Sequence, residues 1–571
     1  MLLPVLSAAA LLLLAVFFIV PLARLLLRQR SSPLRNLPGP PCPSFFIGNL
    51  AEMHDQENTN LIATWQDTYG PTFVYRGFIG GPRLMTTDPV ALAHVLAHAY
   101  QYPKPDFVRD SLASMAAGHD GLLTVEGDQH RRQRRILGPA FSKLHLASLT
   151  PLRDIWLKQA DGHQHTPPRI DALSWLARAT LDVIGEAGFG YHFNSLSSPS
   201  TDNELATAFA VIFSTARKFR VITILQVWFP ILRRFRRNNA AMIQAHATMD
   251  RIGIDLINQK RTEILTESSH KTTSRAGRDL LSLLMRSNLA NSAPSSPSSP
   301  LSPYTAQTQT SMSTREVLCQ ISTFIAAGHE TTASALTWCL YALARAPHVQ
   351  TKLRAALRSI ALGYGATGDR AHDQEAEMEE EKAGQKSGHQ QAQEQDLAAR
   401  LQGCEYLDWV VREALRLHSP VTSTMRVCMR PGGDDIPLSV PVGPPSTRSE
   451  AAEAAREKVG SGERWSVRVA EGDIISIPIQ AVNRCRRLWG EDAGEFRPER
   501  WAGLPAGARS IPGLLGGTLT FLNGNGSVGA GNRACIGWRF ALIEIKIFLY
   551  TLVKDMEFWM DEDMVIEKRI K

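Results

Sequence analysis

The longest runs of apolar residues along this chain divide it into a few strong helical segments separated by polar stretches. Leu2 to Ala23 carries no charge and is apolar almost throughout, and roughly 20 such residues suffice for a helix to cross a bilayer. Ser313-Thr314-Arg315-Glu316 has the form of a capping box and opens a long apolar segment that predicts one helix to about Ala344. Val411 to Leu417 and Trp538 to Val553 predict two more helices, Ala206 to Phe235 reads as amphipathic, and Met556-Glu557-Phe558-Trp559 predicts the start of a strand. Three stretches break this pattern: 291–310 is rich in Ser, Pro, Thr and Gln, 365–396 in Glu, Gln, Lys and Gly, and 441–463 mixes Pro, Ser, Ala and charge. None holds enough apolar surface to offset the entropy of ordering it, so each predicts a disordered surface insertion.

Composition narrows the class. The 571 residues are 44% hydrophobic, enough for one large helical domain over 51–571, preceded by a membrane anchor with a basic flank (1–30) and a proline-stiffened hinge (31–50) containing Leu37-Pro38-Gly39-Pro40-Pro41-Cys42-Pro43. Arg24, Arg28, Arg30 and Arg35 follow the apolar segment and none precedes it, which predicts a single span with the domain on the cytosolic side. A cleaved signal peptide would have a shorter apolar core with its positive charge ahead of it. The net charge of +7 suits acidic partners or a membrane surface. No zinc-finger spacing or basic-aromatic module points to nucleic acid. Seven scattered cysteines, an odd number, fit a reducing compartment rather than a disulfide framework.

The candidate chemistry lies at three places. Cys535 stands in Gly529-Ala530-Gly531-Asn532-Arg533-Ala534-Cys535-Ile536-Gly537, just ahead of a helix. Backbone N–H donors, the positive end of the helix dipole and Arg533 are expected to favour its thiolate, the form that ligates metal. Taken alone, the segment equally suits a buried cysteine beside a turn. The central part of the long helix reads Ala327-Gly328-His329-Glu330-Thr331-Thr332. A glycine and threonines there predict a local distortion that makes room for a small ligand, with a carboxyl and a hydroxyl positioned to relay protons. An imperfect core helix with a polar surface strip is the alternative. Glu413 and Arg416 share a helix face, and Arg500, in Phe496-Arg497-Pro498-Glu499-Arg500-Trp501, supplies a second guanidinium for the same carboxylate.

In this order and spacing, the four motifs resemble the cytochrome P-450 family from about Leu37 onward. The resemblance implies a mainly α fold with small β-sheets (α+β) behind one N-terminal transmembrane helix. It implies haem b held by Cys535 as proximal thiolate ligand, with Glu330 and Thr331 in oxygen activation and proton delivery, and Glu413, Arg416 and Arg500 as a buried scaffold. Arg533 is expected at a haem propionate. Gly127-Asp128-Gln129-His130-Arg131-Arg132-Gln133-Arg134-Arg135 resembles the family's Trp-x-x-x-Arg helix, with His130 in the tryptophan position and Arg134 four residues later, both facing the propionates. Arg131, Arg132 and Arg135 are candidates for a basic face that docks a reductase, or are inert surface charge.

Two positions depart from the pattern. Members usually carry Phe seven residues before the thiolate, where this chain has Val528; without 526–532, Phe521 would fall there, so a seven-residue insertion in the ligand loop is expected, as a tolerated bulge or a splicing artefact. A further C-terminal β-hairpin found in relatives is expected to be missing. The implied function is insertion of one oxygen atom from O2 into a lipophilic small molecule, terpenoid, fatty-acyl or xenobiotic, in the manner of fungal members. Electrons would come from NADPH through a diflavin reductase at the endoplasmic reticulum membrane. Pocket walls are expected from 102–123, 206–235, 323–327 and 421–424. A haem-poor, non-catalytic remnant is the alternative.

Overall fold

The computed structural model describes residues 19–20, 22–55, 58–116, 118–141, 150–161, 168–197, 204–216, 240–270, 279–292, 311–372, 396–443, 464–522 and 533–561. The elements that build the site are, in chain order, helix α1 (Asn58–Tyr69), strands β1 (Thr72–Arg76) and β2 (Pro82–Thr86), helices α2 (Gly127–Phe141), α3 (Ala172–Phe189), α4 (Thr314–Arg345), α5 (Pro347–His372) and α6 (Glu405–Leu417), strands β3 (Thr424–Val427), β4 (Asp434–Pro437), β5 (Ser466–Val469) and β6 (Ile474–Ile477), and helix α7 (Trp538–Val553). The architecture is mainly helical, with two small sheets.

The larger sheet has the order β1-β2-β6-β3. β1 and β2 pair antiparallel with Val74 opposite Leu84, β2 and β6 pair parallel with Leu84 opposite Ile475, and β3 returns antiparallel with Thr424 opposite Ile477. β4 and β5 form a second, two-stranded antiparallel sheet with Asp434 opposite Val469. These strands meet in register from either side of the polar stretch 441–463, of which 444–463 lies outside the described residues.

Two cores result. One joins the helices, with Leu336 and Cys339 of α4 packed in a cluster with Leu407 and Val411 of α6 and Phe548 and Leu549 of α7. The other covers the sheets, where Leu84, Ile475 and Ile477 meet Leu34, Leu92 and Trp489. The capping box expected at Ser313 is present: its hydroxyl accepts from the Glu316 N–H at 3.2 Å, and the Glu316 carboxylate accepts from the Ser313 N–H at 2.9 Å.

Several expectations are corrected. α4 runs as one continuous helix from Thr314 to Arg345, so Gly328 does not break it. The glycine serves packing instead: a Cβ there would come 3.1 Å from Ile184, so its absence lets α3 approach α4 closely. The Thr180 hydroxyl then donates to the His329 carbonyl at 2.9 Å, tying the two helices together. Met556 to Trp559 is not a strand. The Gln350 side chain of α5 takes the place of a partner strand, donating to the Phe558 carbonyl at 2.8 Å and accepting from the Phe558 N–H at 2.9 Å. α5 continues to His372, so the polar stretch 365–396 begins inside a helix, and 373–395 lies outside the described residues, as does 293–310. Of the apolar segment Leu2–Ala23, residues 1–18 lie outside the described residues; among the described ones no helix is long and apolar enough to cross a membrane.

Candidate active site

Cys535 lies in the turn that leads into α7, where Gly537 immediately precedes the helix. Its side chain is open to solvent although protein surrounds it on most sides, the setting of a group on an internal face. Burial pushes its thiol above the ordinary value, while the Gly537 N–H and the Arg134 guanidinium pull it down less strongly. The expected cation was Arg533, and the structure corrects this: Arg134 of α2 is the one that acts on the sulfur. Arg533 is turned toward Glu126, to which it is ion-paired, and lies 5.4 Å from the centre of the Tyr100 ring. A metal ion at the sulfur would supply the ionisation that the protein alone does not.

α2 connects this turn to the long helix. Phe141 at its end stands 3.6 Å from where a side chain on Gly537 would begin, and its ring meets Phe324 of α4 edge-on at 5.0 Å. Three residues further along α4, Ala327 is exposed, and the Thr331 hydroxyl donates to its carbonyl at 2.6 Å. Glu330 is half-buried beside it. Thr332, one residue on, is buried.

Basic groups gather on the same side of the molecule. His130 is buried, edge-on to Tyr100, with Nδ1 lacking a hydrogen-bond partner among the described residues. Burial, Lys104 and Arg134 push it down to about 3, so the ring is neutral at pH 7. The Lys104 ammonium donates to the Leu123 carbonyl at 2.9 Å; burial and the nearby guanidinium groups of Arg426, Arg533 and Arg109 push it well below the ordinary lysine range. Arg426 of β3 is buried, and burial lowers it to about 10. Its guanidinium donates to the Thr424 hydroxyl at 2.8 Å and the Met425 carbonyl at 2.7 Å, and it has no carboxylate partner among the described residues. Arg426 and Arg533, both buried, and Lys104 and Arg134, both half-buried, thus form a cluster of basic groups whose one ion-paired carboxylate among the described residues is Glu126. Such a cluster is costly unless it binds anions. The two carboxylates of a haem, with an accessible thiol beside them, fit this donor set.

Sequence reasoning placed Arg533, His130 and Arg134 here but missed Lys104 and Arg426. The signal for Lys104 was slight: one lysine between prolines in Tyr102-Pro103-Lys104-Pro105. Arg426 lies six residues after Pro420 on what reads as an ordinary short strand. Tyr102, expected in a pocket wall, is fully buried and donates to Asp434 at 2.6 Å. Of the wall expected over 206–235, residues 217–235 lie outside the described residues. Arg132 is no free surface charge: it is ion-paired with Glu316 and donates to the Ser311 carbonyl at 2.8 Å, fastening α2 to the start of α4.

Away from the sulfur, Glu413 is fully buried in a cage of donors. Arg416 donates to both its oxygens at 2.9 Å, Arg500 Nε donates to Oε1 at 2.7 Å, Trp501 Nε1 donates to Oε2 at 3.0 Å, and the Arg497 N–H donates to Oε1 at 3.0 Å. This joins α6 to the turn that carries Arg500.

The sequence profile of the family Cytochrome P-450 matches residues 38–433 and 466–570. The chain belongs to the cytochrome P-450 family. Its similarity extends to cytochrome P-450 monooxygenase 205 of Postia placenta, 38% identical over 92% of this chain and 87% of that protein. Cytochrome P-450 monooxygenase 128 of the same fungus is 37% identical over 94% and 88%. A ganoderic acid synthetase of Ganoderma lucidum is 30% identical over 93% and 89%. The interruption of the family match between 433 and 466 contains the polar stretch 441–463. This cytochrome P-450 is therefore an oxidoreductase of haem-thiolate monooxygenase type, and like its family it requires a redox partner and takes a hydrophobic substrate.

Proposed function

We propose that this enzyme inserts one oxygen atom from O2 into a lipophilic small molecule of secondary metabolism, terpenoid, fatty-acyl or xenobiotic, with electrons from NADPH delivered by a diflavin reductase. The observation that carries the reading is the accessible Cys535 thiol beside a cluster of buried and half-buried basic groups. When bound, haem supplies the O2 and redox chemistry. The chain's residues would hold it: Cys535 through its sulfur, and Arg134, His130, Arg533, Lys104 and Arg426 through its carboxylates. The neutral His130 ring offers one N–H and one acceptor nitrogen, so it orients a carboxylate without adding charge. Thr331, bonded back to Ala327, offers a hydroxyl on the accessible face of α4, and Glu330 beside it is positioned to exchange protons with solvent. Glu413, Arg416 and Arg500 fix the backbone around the site.

Residues 2–23 are proposed to anchor the enzyme in the endoplasmic reticulum membrane, with the catalytic domain cytosolic. Their length, their lack of charge and the arginines that follow support this. One relative is named for ganoderic acid synthesis, which supports a place in secondary metabolism. Arg135 and Arg131, the latter half-exposed and paired with Asp128, remain candidates for the reductase face; Arg132 is committed elsewhere.

The test is the carbon-monoxide difference spectrum of the reduced full-length protein in membranes, beside Cys535→Ala. The red-shifted Soret band of a thiolate-ligated haem is expected in the first and not in the second. An identical spectrum in both overturns the reading. Reconstitution with a diflavin reductase and NADPH then checks the electron source, with no turnover the contrary result.

A further inference from the structure

Lys104 and Arg426 come together through a short ladder outside the motifs. β3 is the outer strand of its sheet, and residues 101–104 run along its free side. The Val427 N–H donates to the Pro103 carbonyl and the Met429 N–H to the Gln101 carbonyl, each at 2.9 Å. This antiparallel register puts Lys104 opposite Arg426 and Tyr102 opposite Cys428, so the two cations share one face of the ladder and the tyrosine takes the other. Each pair interacts accordingly: Arg426 acts on the Lys104 ammonium, and Tyr102 meets the Cys428 thiol. Like charges directly opposite one another work against the pairing. Pro103 and Pro105 have no N–H to offer β3, and the Lys104 N–H between them donates to Glu126 at 3.3 Å instead. Two backbone bonds against a charge repulsion make a weak ladder.

Asp434, the first residue of β4, supplies the missing hold. Its carboxylate accepts from the Tyr102 hydroxyl at 2.6 Å, and Tyr102 is fully buried. Arg430 donates to the other oxygen at 2.6 Å, as does the Asp435 N–H at 2.9 Å, while His94 Nε2 lies 2.9 Å from the oxygen that Tyr102 uses. Burial raises the carboxyl, but these bonds, that of Arg430 first, outweigh it and keep Asp434 below the ordinary carboxylate range. An ionised acceptor makes the tyrosine bond short and strong.

We propose that Asp434 is a positioning residue for the haem: by gripping Tyr102 it fixes the register of residues 101–104 on β3, and so keeps Lys104 opposite Arg426, where both serve the haem carboxylates. A slip by one residue would turn Lys104 to the far face of the ladder. Without the grip, Lys104 moves away from Arg426. That relieves the repulsion in haem-free protein and loosens the hold on haem in the holoenzyme. The inference rests on the monooxygenase reading and adds to it a residue that acts on the cofactor from outside the basic cluster.

The test uses full-length protein in detergent: wild type, Asp434→Asn, Tyr102→Phe, Lys104→Met, and Tyr102→Phe combined with Lys104→Met. Haem transfer to apomyoglobin should quicken severalfold in each single variant. The haem midpoint potential should fall in each, because a cation that favours the more negative, reduced state has left its place. In the double variant neither quantity should move beyond Lys104→Met, since the tyrosine acts through the lysine; a purely structural role would add its effect in full. If Asp434→Asn fails to fold, Tyr102→Phe carries the test, because it leaves Asp434 bonded to Arg430 and His94. In haem-free protein, amine acylation read by peptide mass spectrometry should label Lys104 severalfold faster in Tyr102→Phe than in wild type. Additive effects in the double variant, unchanged haem transfer in Tyr102→Phe, or unchanged labelling of Lys104 overturns the proposal. Absence of the carbon-monoxide band in wild type would sink the monooxygenase reading instead, while the acylation rate would still report the grip of Tyr102 on Lys104.

Discussion

The backbone N–H of Cys535 donates to the carbonyl of Phe521 at 3.0 Å. Fourteen positions separate them, and 523–532 lies outside the described residues, yet both ends of the ligand loop meet directly. Phe521, the residue that would take the family's phenylalanine position if seven residues were absent, packs at the edge of the helical core. The loop is thus closed by its ends, independently of what lies between. Deleting 526–532 should leave the thiolate band and haem content unchanged. Loop-closure entropy alters by only about 0.6 kcal/mol for a halving of length. Loss of the carbon-monoxide band in the deletion variant would show that the extra residues hold the site.

Arg426 predicts opposite effects on the protein with and without haem. Its buried guanidinium has no carboxylate partner among the described residues, so the haem-free fold bears an uncompensated cation. Arg426→Gln should therefore raise the urea midpoint of haem-free protein. In the holoenzyme it removes a charge-assisted bond of about 1.5–3 kcal/mol, so haem transfer to apomyoglobin should speed up roughly ten- to a hundredfold. Unchanged transfer would remove Arg426 from the haem cradle.

The thiol of Cys535 is accessible but raised above its ordinary value. The raised value makes the protonated form dominant at pH 7, and the reactive thiolate grows only as pH climbs through it. Haem-free protein should thus alkylate slowly at Cys535 at neutral pH and steeply faster in alkali. Holoenzyme should be protected throughout. Peptide mass spectrometry after timed iodoacetamide treatment reads both; fast labelling of Cys535 at pH 7 would contradict the balance of burial over Arg134.

Much of this site could be read from the chain because its parts are local. The capping box at Ser313, the pair Glu413 and Arg416 and the turn at Cys535 each depend on neighbours a few residues apart, and such spacing survives in the sequence. What could not be read is relational. Nothing in the order of residues says that Arg533 would turn to Glu126 and leave Arg134 to face the sulfur, because that depends on where α2 lies against the ligand loop. Gly328 has the composition of a kink, and only the approach of Ile184 from α3 explains it as a packing residue. Lys104 and Arg426 are brought together by the fold from positions more than 300 residues apart. Nothing in the apolar run around Glu544 tells of the contact with α4 that buries it.

Glu413 gives the sharpest stability prediction. Its carboxylate accepts from Arg416, Arg500, Trp501 and the Arg497 backbone, and both guanidinium groups are as deeply buried as the acid. Each cation has further bonds, Arg416 to the carbonyls of Asn483 at 2.9 Å and Ala493 at 2.6 Å, and Arg500 to that of Asp492 at 2.9 Å. Neither guanidinium can therefore swing out to water without breaking others. Glu413→Gln nearly preserves shape, yet it removes the negative charge and replaces one acceptor oxygen by a donor. Two guanidinium groups then share a dry site whose one remaining counter-charge among the described residues is Asp492 at its rim. Breaking a buried pair in this way costs about 3–5 kcal/mol, and the effect should appear in urea denaturation as loss of most of the folded holoenzyme at moderate denaturant. The cost is structural, so protein that does fold should still show the thiolate band. If Glu413→Gln were as stable as wild type but lacked that band, Glu413 would belong to the haem site and not to its scaffold.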